Sequence, residues 1–175
     1  MNQRLNILFS WSGLGREPYT FREGAAVPGS HLCLLRDSKY RGYFHRHILF
    51  TAAAAMKDAE RIARELVELP NPVPVEVRVI DMNNPTDHMQ IAYGLANELR
   101  DLDEKQRIFD HELHVLLNTG TPQMQTVWVL LQSMGLLKCK IIQTVPKHIA
   151  DRYNKPLAAE SIIDTKALER MFLGM

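Results

Sequence analysis

The sequence predicts an α/β protein with a doubly wound, mostly parallel sheet of five or six strands flanked by helices. Three observations lead there. Short apolar runs alternate with helical segments along the 175 residues. Five of the runs have strand character, and helical segments separate them. Strands joined through helices need crossover connections, which parallel sheets use.

The elements follow in order. Leu5 to Phe9 is a first strand that ends in the polar loop Ser10-Trp11-Ser12-Gly13-Leu14-Gly15. Residues 16–29 have no period and read as irregular. Pro28-Gly29-Ser30 opens a short helix over His31–Arg36, although an apolar run this short also suits a strand. Tyr43–Thr51 is β-rich and forms the second strand. Ala52–Leu69 is a helix, with Met56, Ala59, Ile62, Ala63, Leu66 and Leu69 on one face. Pro70-Asn71-Pro72 stops it. Val75–Ile80 alternates like a third strand. Thr86 or Asp87 can cap the next helix, which runs through Ile91, Leu95 and Leu99. Asp101–Glu112 reads as a charged connection.

Leu113–Leu117 is the fourth strand. It runs into the polar turn Asn118-Thr119-Gly120-Thr121, and Pro122 then opens a helix that continues through Gln123 and Met124 to a C-cap near Gly135. Lys140–Val145 is the fifth strand. Residues 147–161 carry no firm signal. Residues 164–173 read as a short amphipathic helix in which Ala167, Leu168, Met171 and Phe172 can face a partner.

In doubly wound sheets, ligands bind beyond the carboxyl ends of the strands, where the strand order reverses. The usual order 3-2-1-4-5 makes the first and fourth strands neighbours, so the loops 10–15 and 118–123 come side by side there. The second loop leads into a helix N-terminus, where backbone N–H groups and hydroxyls suit a phosphate or another polar ligand. Trp11 has two readings at this stage: folded back onto the core, or stacked on a base.

Composition narrows the setting. The formal net charge of +1 gives no general attraction to duplex nucleic acid or an anionic membrane. Cys33 and Cys139 lie far apart in apolar surroundings and read as buried thiols of a reducing compartment. No stretch approaches the roughly 20 apolar residues of a membrane span. The start of the chain lacks a signal-peptide pattern, so the expected location is cytoplasmic.

Several motifs are excluded by spacing. Gly13-Leu14-Gly15 is followed by Pro18 where a dinucleotide fingerprint wants its third glycine, and the second strand ends in Thr51 instead of an acidic residue. No Walker-A lysine occurs. His111 and His114 have the spacing H-x-x-H, which on a strand sends the two rings to opposite faces; they read as a solvated turn. His45 and His47 share a strand face without a third metal ligand and read as surface or interface residues. Ser10, Ser12, Thr119 and Thr121 sit in no nucleophile elbow. Met124 and Trp128 read as core. No metal site, cofactor or catalytic residue is expected.

The stretch Asn118-Thr119-Gly120-Thr121-Pro122-Gln123-Met124 after an apolar strand resembles the glycine-threonine signature of the CARF domain, the CRISPR-associated Rossmann fold. It is most similar to the N-terminal sensor domains of RNA-repair transcription regulators. The loop from Ser10 to Gly15 followed by Glu17-Pro18-Tyr19 is similar to the other half of that family's pocket, and Pro85-Thr86-Asp87 also fits. The resemblance covers residues 5–146.

It implies a Rossmann-like homodimer that senses cyclic tetra- or hexa-adenylate, or a linear oligoadenylate, in a pocket across the dimer interface. Ser10, Trp11, Ser12, Gly13, Leu14 and Gly15 would line one wall; Asn118, Thr119, Gly120, Thr121, Pro122 and Gln123 would line the other, with Trp11 against adenine. Some relatives cleave the cyclic ligand slowly, so a ring nuclease using the same pocket is the alternative. Positioning of a ribose 2′-hydroxyl by Ser12 or Thr119, with a cation such as Arg16, would serve that chemistry. The expected organisation is a sensor domain over residues 1–150 and a tail over 151–175, with an effector domain or partner protein outside this sequence.

Overall fold

A computed structural model of the chain describes residues 3–13, 17–22, 24–162 and 164–173. Its central strand is β1 (Asn6–Trp11), and the flanking elements build outward from it. β4 (Arg46–Ala52) and β6 (Glu112–Leu116) pair with β1 in parallel on either side. β5 (Val75–Ile80) and β7 (Cys139–Thr144) extend the sheet in parallel, and β8 (Ala158–Ser161) closes one edge antiparallel to β7. The order is β5-β4-β1-β6-β7-β8. For the five expected strands this is the order 3-2-1-4-5, and the reversal falls between β1 and β6.

Helices cover both faces. α3 (His88–Gln106) and α4 (Pro122–Ser133) pack on the face formed by Ile7, Phe9, Trp11, Ile48, Phe50 and Val115. α1 (Ser30–Leu32), continued by a π-helical turn over Cys33–Asp37, and α2 (Met56–Val67) pack on the opposite face against Leu8, Leu49, Leu116 and Ile142. Burial on both faces explains why the central strands read as continuous apolar runs. α2 buries Ala59, Ile62 and Leu66 at the expected spacing. Ile62 and Leu66 each contribute about 1.5–3 kcal/mol on burial, and the single methyl of Ala59 less.

The local chemistry of the helix ends follows the sequence. Asp87 caps α3, its carboxylate accepting from the amides of Met89 and Gln90. That helix continues to Gln106, through the first part of the segment read as a charged connection. Leu102 is its last buried contact, and Arg107 ends it in the left-handed region. At the β5 edge, Glu76 pairs with Arg46, and Arg78 pairs with Glu98 and Asp101. These charges discourage pairing with another strand.

Two segments differ from the sequence reading. Tyr19–Arg22 and Ala25–Pro28, read as irregular, form an antiparallel hairpin, β2–β3, outside the main sheet. The hairpin is largely exposed and has no buried face to impose an apolar period. Residues 147–161, without firm signal, contain α5 (Lys147–Tyr153) and β8. β8 is short and buries only Ala158 deeply. The last helix, α6 (Thr165–Leu173), lies where the amphipathic pattern indicated, with Met171 exposed.

Candidate functional site

The carboxyl ends of β1 and β6 bring the two polar loops into contact. The Trp11 amide donates to Thr119 Oγ1 at 3.0 Å, and the same hydroxyl donates to the Leu116 carbonyl at 3.0 Å. Gly120 follows with φ of 77°, in the left-handed region that glycine tolerates. A Cβ there would lie 2.8 Å from both Trp11 Cβ and Met124 Sδ, so only glycine permits this approach. Thr121 then caps α4: its hydroxyl accepts from the Met124 amide at 3.2 Å and donates to the Pro85 carbonyl at 2.8 Å. Asn118 Oδ1 accepts from the Thr144 amide at 2.6 Å, tying the loop to the end of β7. On the other side, Ser12 bonds the Phe50 carbonyl through its amide and Thr51 Oγ1 through its hydroxyl.

The expected site residues thus converge, but they divide by exposure. Ser10, Trp11, Ser12, Gly13, Thr119 and Thr121 are buried. Asn118 and Pro122 are exposed, and Gly120 and Gln123 are half-buried. Leu14, Gly15 and Arg16 lie outside the described residues. The four buried hydroxyls of Ser10, Ser12, Thr119 and Thr121 all bond to protein groups, so in this structure they build the loops.

Trp11 takes the first of its two readings. Its side chain has no exposure and packs between the rings of Phe50 and Trp128, with centroids 5.6 and 6.0 Å away. The alternation of β1 sends it into the core together with Ile7 and Phe9, so it cannot stack on a base here. His47 is corrected from a surface residue to a fully buried one, because the strand face it shares is covered by α1. His114 is likewise no part of a solvated turn. It lies buried in β6, edge-on to Tyr43 and Phe44. Among the described residues no group of three or more His, Cys, Asp or Glu could hold a metal ion.

Beneath the first loop lies a buried polar chain that the sequence did not disclose. Ser10 Oγ stands 2.9 Å from His31 Nε2 and 2.7 Å from His47 Nε2. His31 Nδ1 lies 3.1 Å from Glu17 Oε2. The Glu17 carboxylate also accepts from the amides of Ser30 at 2.6 Å and His31 at 3.3 Å. Burial pushes the Glu17 carboxyl up, yet the interaction with His31 and these hydrogen bonds outweigh it and hold the group below the usual glutamate value. Burial pushes His47 well below the ordinary histidine value, with the neighbouring His31 adding to the effect. The order Ser–His–Glu has the form of a nucleophilic triad. Ser10 and His31 have no exposure, however, so no substrate atom meets Ser10 Oγ in this structure. The sequence signal for this chain is thin: an acidic residue after a glycine loop, and a Gly-Ser-His start to a short helix.

Glu17 also borders a cavity of about 350 Å³ beyond the strand ends, together with Thr20, Ser30, Asn118, Thr144 and His148. Among the described residues neither lysine nor arginine lines it. Asn118 therefore reaches both the β6 loop and this cavity. A larger cavity of about 550 Å³ follows Arg61, Arg64 and Glu68 of α2 and Val75 at the start of β5.

Comparisons with known proteins agree with this architecture. A family model described as regulator of RNA terminal phosphate cyclase, RtcR, matches residues 32–171. Csm6 from Enterococcus italicus, solved bound to cyclic hexa-2'-fluoro-hexa-dAMP, is similar with a TM-score of 0.67 at 16% identity, over 97% of this chain and 44% of that one. Can2 from Sulfobacillus thermosulfidooxidans, in complex with cyclic tetra-adenylate, is similar at 10% identity and a TM-score of 0.46, over 80% of this chain and 32% of that one. The chain therefore spans less than half the length of either structure. No curated protein sequence matches it. The Csm6 likeness shows the fold, a Rossmann-like sheet, and the family match covers most of the sequence: the chain belongs to the RtcR family, the regulators of RNA terminal phosphate cyclase.

Proposed function

We propose that this chain is the ligand-sensing domain of an RNA-repair regulator and that it binds a cyclic or linear oligoadenylate beyond the carboxyl ends of β1 and β6. The observation that carries the proposal is the contact of Gly120 with Trp11, which joins the two loops at the switch point of the sheet. The accessible groups there are the Asn118 side-chain amide, the backbone at Gly120 and the first turn of α4 at Gln123. Hydrogen-bond donors at a helix N-terminus suit phosphate, and the cavity beside Asn118 suits uncharged parts of a nucleotide. The cyclic oligonucleotide bound by Csm6 points to the same ligand class. A second copy of the chain would complete the pocket. Residues 1–150 would form the sensor unit, and the tail over 151–175 would pass the signal to an effector domain or partner.

Isothermal titration with cyclic tetra-adenylate, cyclic hexa-adenylate and linear oligoadenylates tests this reading. The expected result is saturable heat with at least one of them, at one ligand per two chains. No heat with any member of the panel at high protein concentration overturns it.

A further inference from the structure

The chain Glu17–His31–Ser10–His47 links four separate pieces of the fold. Ser10 belongs to β1, His47 to β4 and His31 to α1, while Glu17 stands at the root of the β2–β3 hairpin. The hairpin root has further ties: the Gly29 amide donates to the Pro18 carbonyl at 2.7 Å, and Arg61 Nη2 donates to the Glu17 carbonyl at 2.7 Å. Two glycines shape the slot for the Glu17 side chain. A Cβ at Gly29 would lie 2.4 Å from Glu17 Oε2, and one at Gly13 would lie 2.7 Å from Glu17 Cγ. Glu17 is therefore clasped between the loop after β1 and the start of α1.

The hydrogen bonds run in one direction. An ionised carboxylate only accepts, so His31 Nδ1 carries the proton that Glu17 receives. With both rings neutral, His31 Nε2 accepts from the Ser10 hydroxyl, and Ser10 Oγ accepts from His47 Nε2–H. Among the described residues His47 Nδ1 has no hydrogen-bond partner, and it is buried. The reverse direction would place a proton on that nitrogen and strand an N–H inside the protein, which is costly. One carboxylate thus sets the tautomers of two histidines and the rotamer of one serine.

We propose that Glu17 is a positioning residue for the ligand pocket: through His31, Ser10 and His47 it clamps the loop after β1 and the root of the β2–β3 hairpin onto the sheet. The hairpin root supplies Thr20, and the start of α1 supplies Ser30, to the cavity that also contacts Asn118. The geometry of that cavity then follows from the clamp. This inference rests on the oligoadenylate reading for its binding arm alone.

The test is Glu17→Gln in the full chain, read by long-range ¹H–¹⁵N spectra of the histidine rings and by oligoadenylate titration. A glutamine presents an NH₂ group toward His31 and offers one accepting oxygen in place of two. His31 is expected to move its proton to Nε2, Ser10 to turn its hydroxyl toward His47, and His47 to take the Nδ1–H form. Ligand binding is expected to weaken about tenfold. Wild-type ring spectra for His31 and His47 in this variant overturn the clamp, as does unchanged affinity beside altered spectra.

Should Glu17→Gln not fold, Ser10→Ala cuts the chain at its centre. His31 is then expected to keep its tautomer while affinity falls, and unchanged affinity overturns the proposal. Absence of oligoadenylate binding by the wild-type chain overturns the ligand reading instead, and the ring spectra still judge the clamp.

Discussion

Gly120 stands against Trp11 so closely that a single added methyl group would lie 2.8 Å from Trp11 Cβ. The contact joins the ends of the two central strands, and it occurs at a backbone angle that side chains rarely adopt. Gly120→Ala is expected to destabilise the protein by roughly 1–3 kcal/mol, combining the left-handed penalty with the clash. Urea denaturation measures this. A midpoint equal to the wild type would show that the two loops do not meet as described.

Thr119 offers a chemical counterpart to that steric test. Its hydroxyl accepts the buried Trp11 amide and donates to the Leu116 carbonyl. Thr119→Val keeps the shape and leaves the Trp11 N–H unpaired, at an expected loss of about 1–3 kcal/mol. Thr119→Ser retains the hydroxyl and should stay close to the wild type. Equal stability of the valine and serine variants in denaturant titrations would refute the assignment.

These two residues also show what was legible in the sequence. Strand order was readable because the central strands are apolar runs separated by helical segments, and crossover chirality leaves few alternatives. The two loops could therefore be paired before any coordinate. The direction of Trp11 was not readable, because Ser10 and Ser12 on either side made the stretch resemble a loop when it is the last turn of strand alternation. The Glu17–His31–Ser10–His47 chain was hidden for another reason. Its members are separated by 14, 21 and 37 residues, and only the wrapping of α1 over the sheet brings them together. The β2–β3 hairpin and β8 escaped because exposed or edge strands carry little apolar period.

Acid should weaken the fold through three buried groups acting in the same direction. Burial pushes His114 down to about 4, with the Lys140 charge adding and Glu112 opposing. His47 is pushed down as well. A histidine whose folded value lies below the ordinary 6.5 binds fewer protons folded than unfolded across that interval. Its contribution is complete above about 6.5 and is lost as the pH falls toward the folded value. Glu17, held below its ordinary 4.5, adds a further loss under more acidic conditions. Between pH 7.5 and 5 His114 alone should cost roughly 2 kcal/mol. His114→Phe, which keeps an aromatic ring against Tyr43 and Phe44, should flatten this part of the stability profile. An unchanged slope in urea titrations at the two pH values would exclude His114 as a source.

Trp11 separates a structural role from a ligand-stacking one. Both tryptophans of the chain have no exposure, and among the described residues neither indole nitrogen has a hydrogen-bond partner. Native fluorescence should therefore be blue-shifted and poorly quenched by acrylamide. Trp11→Phe removes a buried unpaired N–H and leaves a gap beside Phe50 and Trp128, with an expected net loss of about 1–3 kcal/mol. A base resting on Trp11 would be worth about 1–3 kcal/mol on replacement by a small side chain. The affinity of Trp11→Leu for oligoadenylate, at a temperature where the variant is folded, should match the wild type within about twofold. A loss of tenfold or more in folded Trp11→Leu would mean that the loop opens on binding and turns the indole outward.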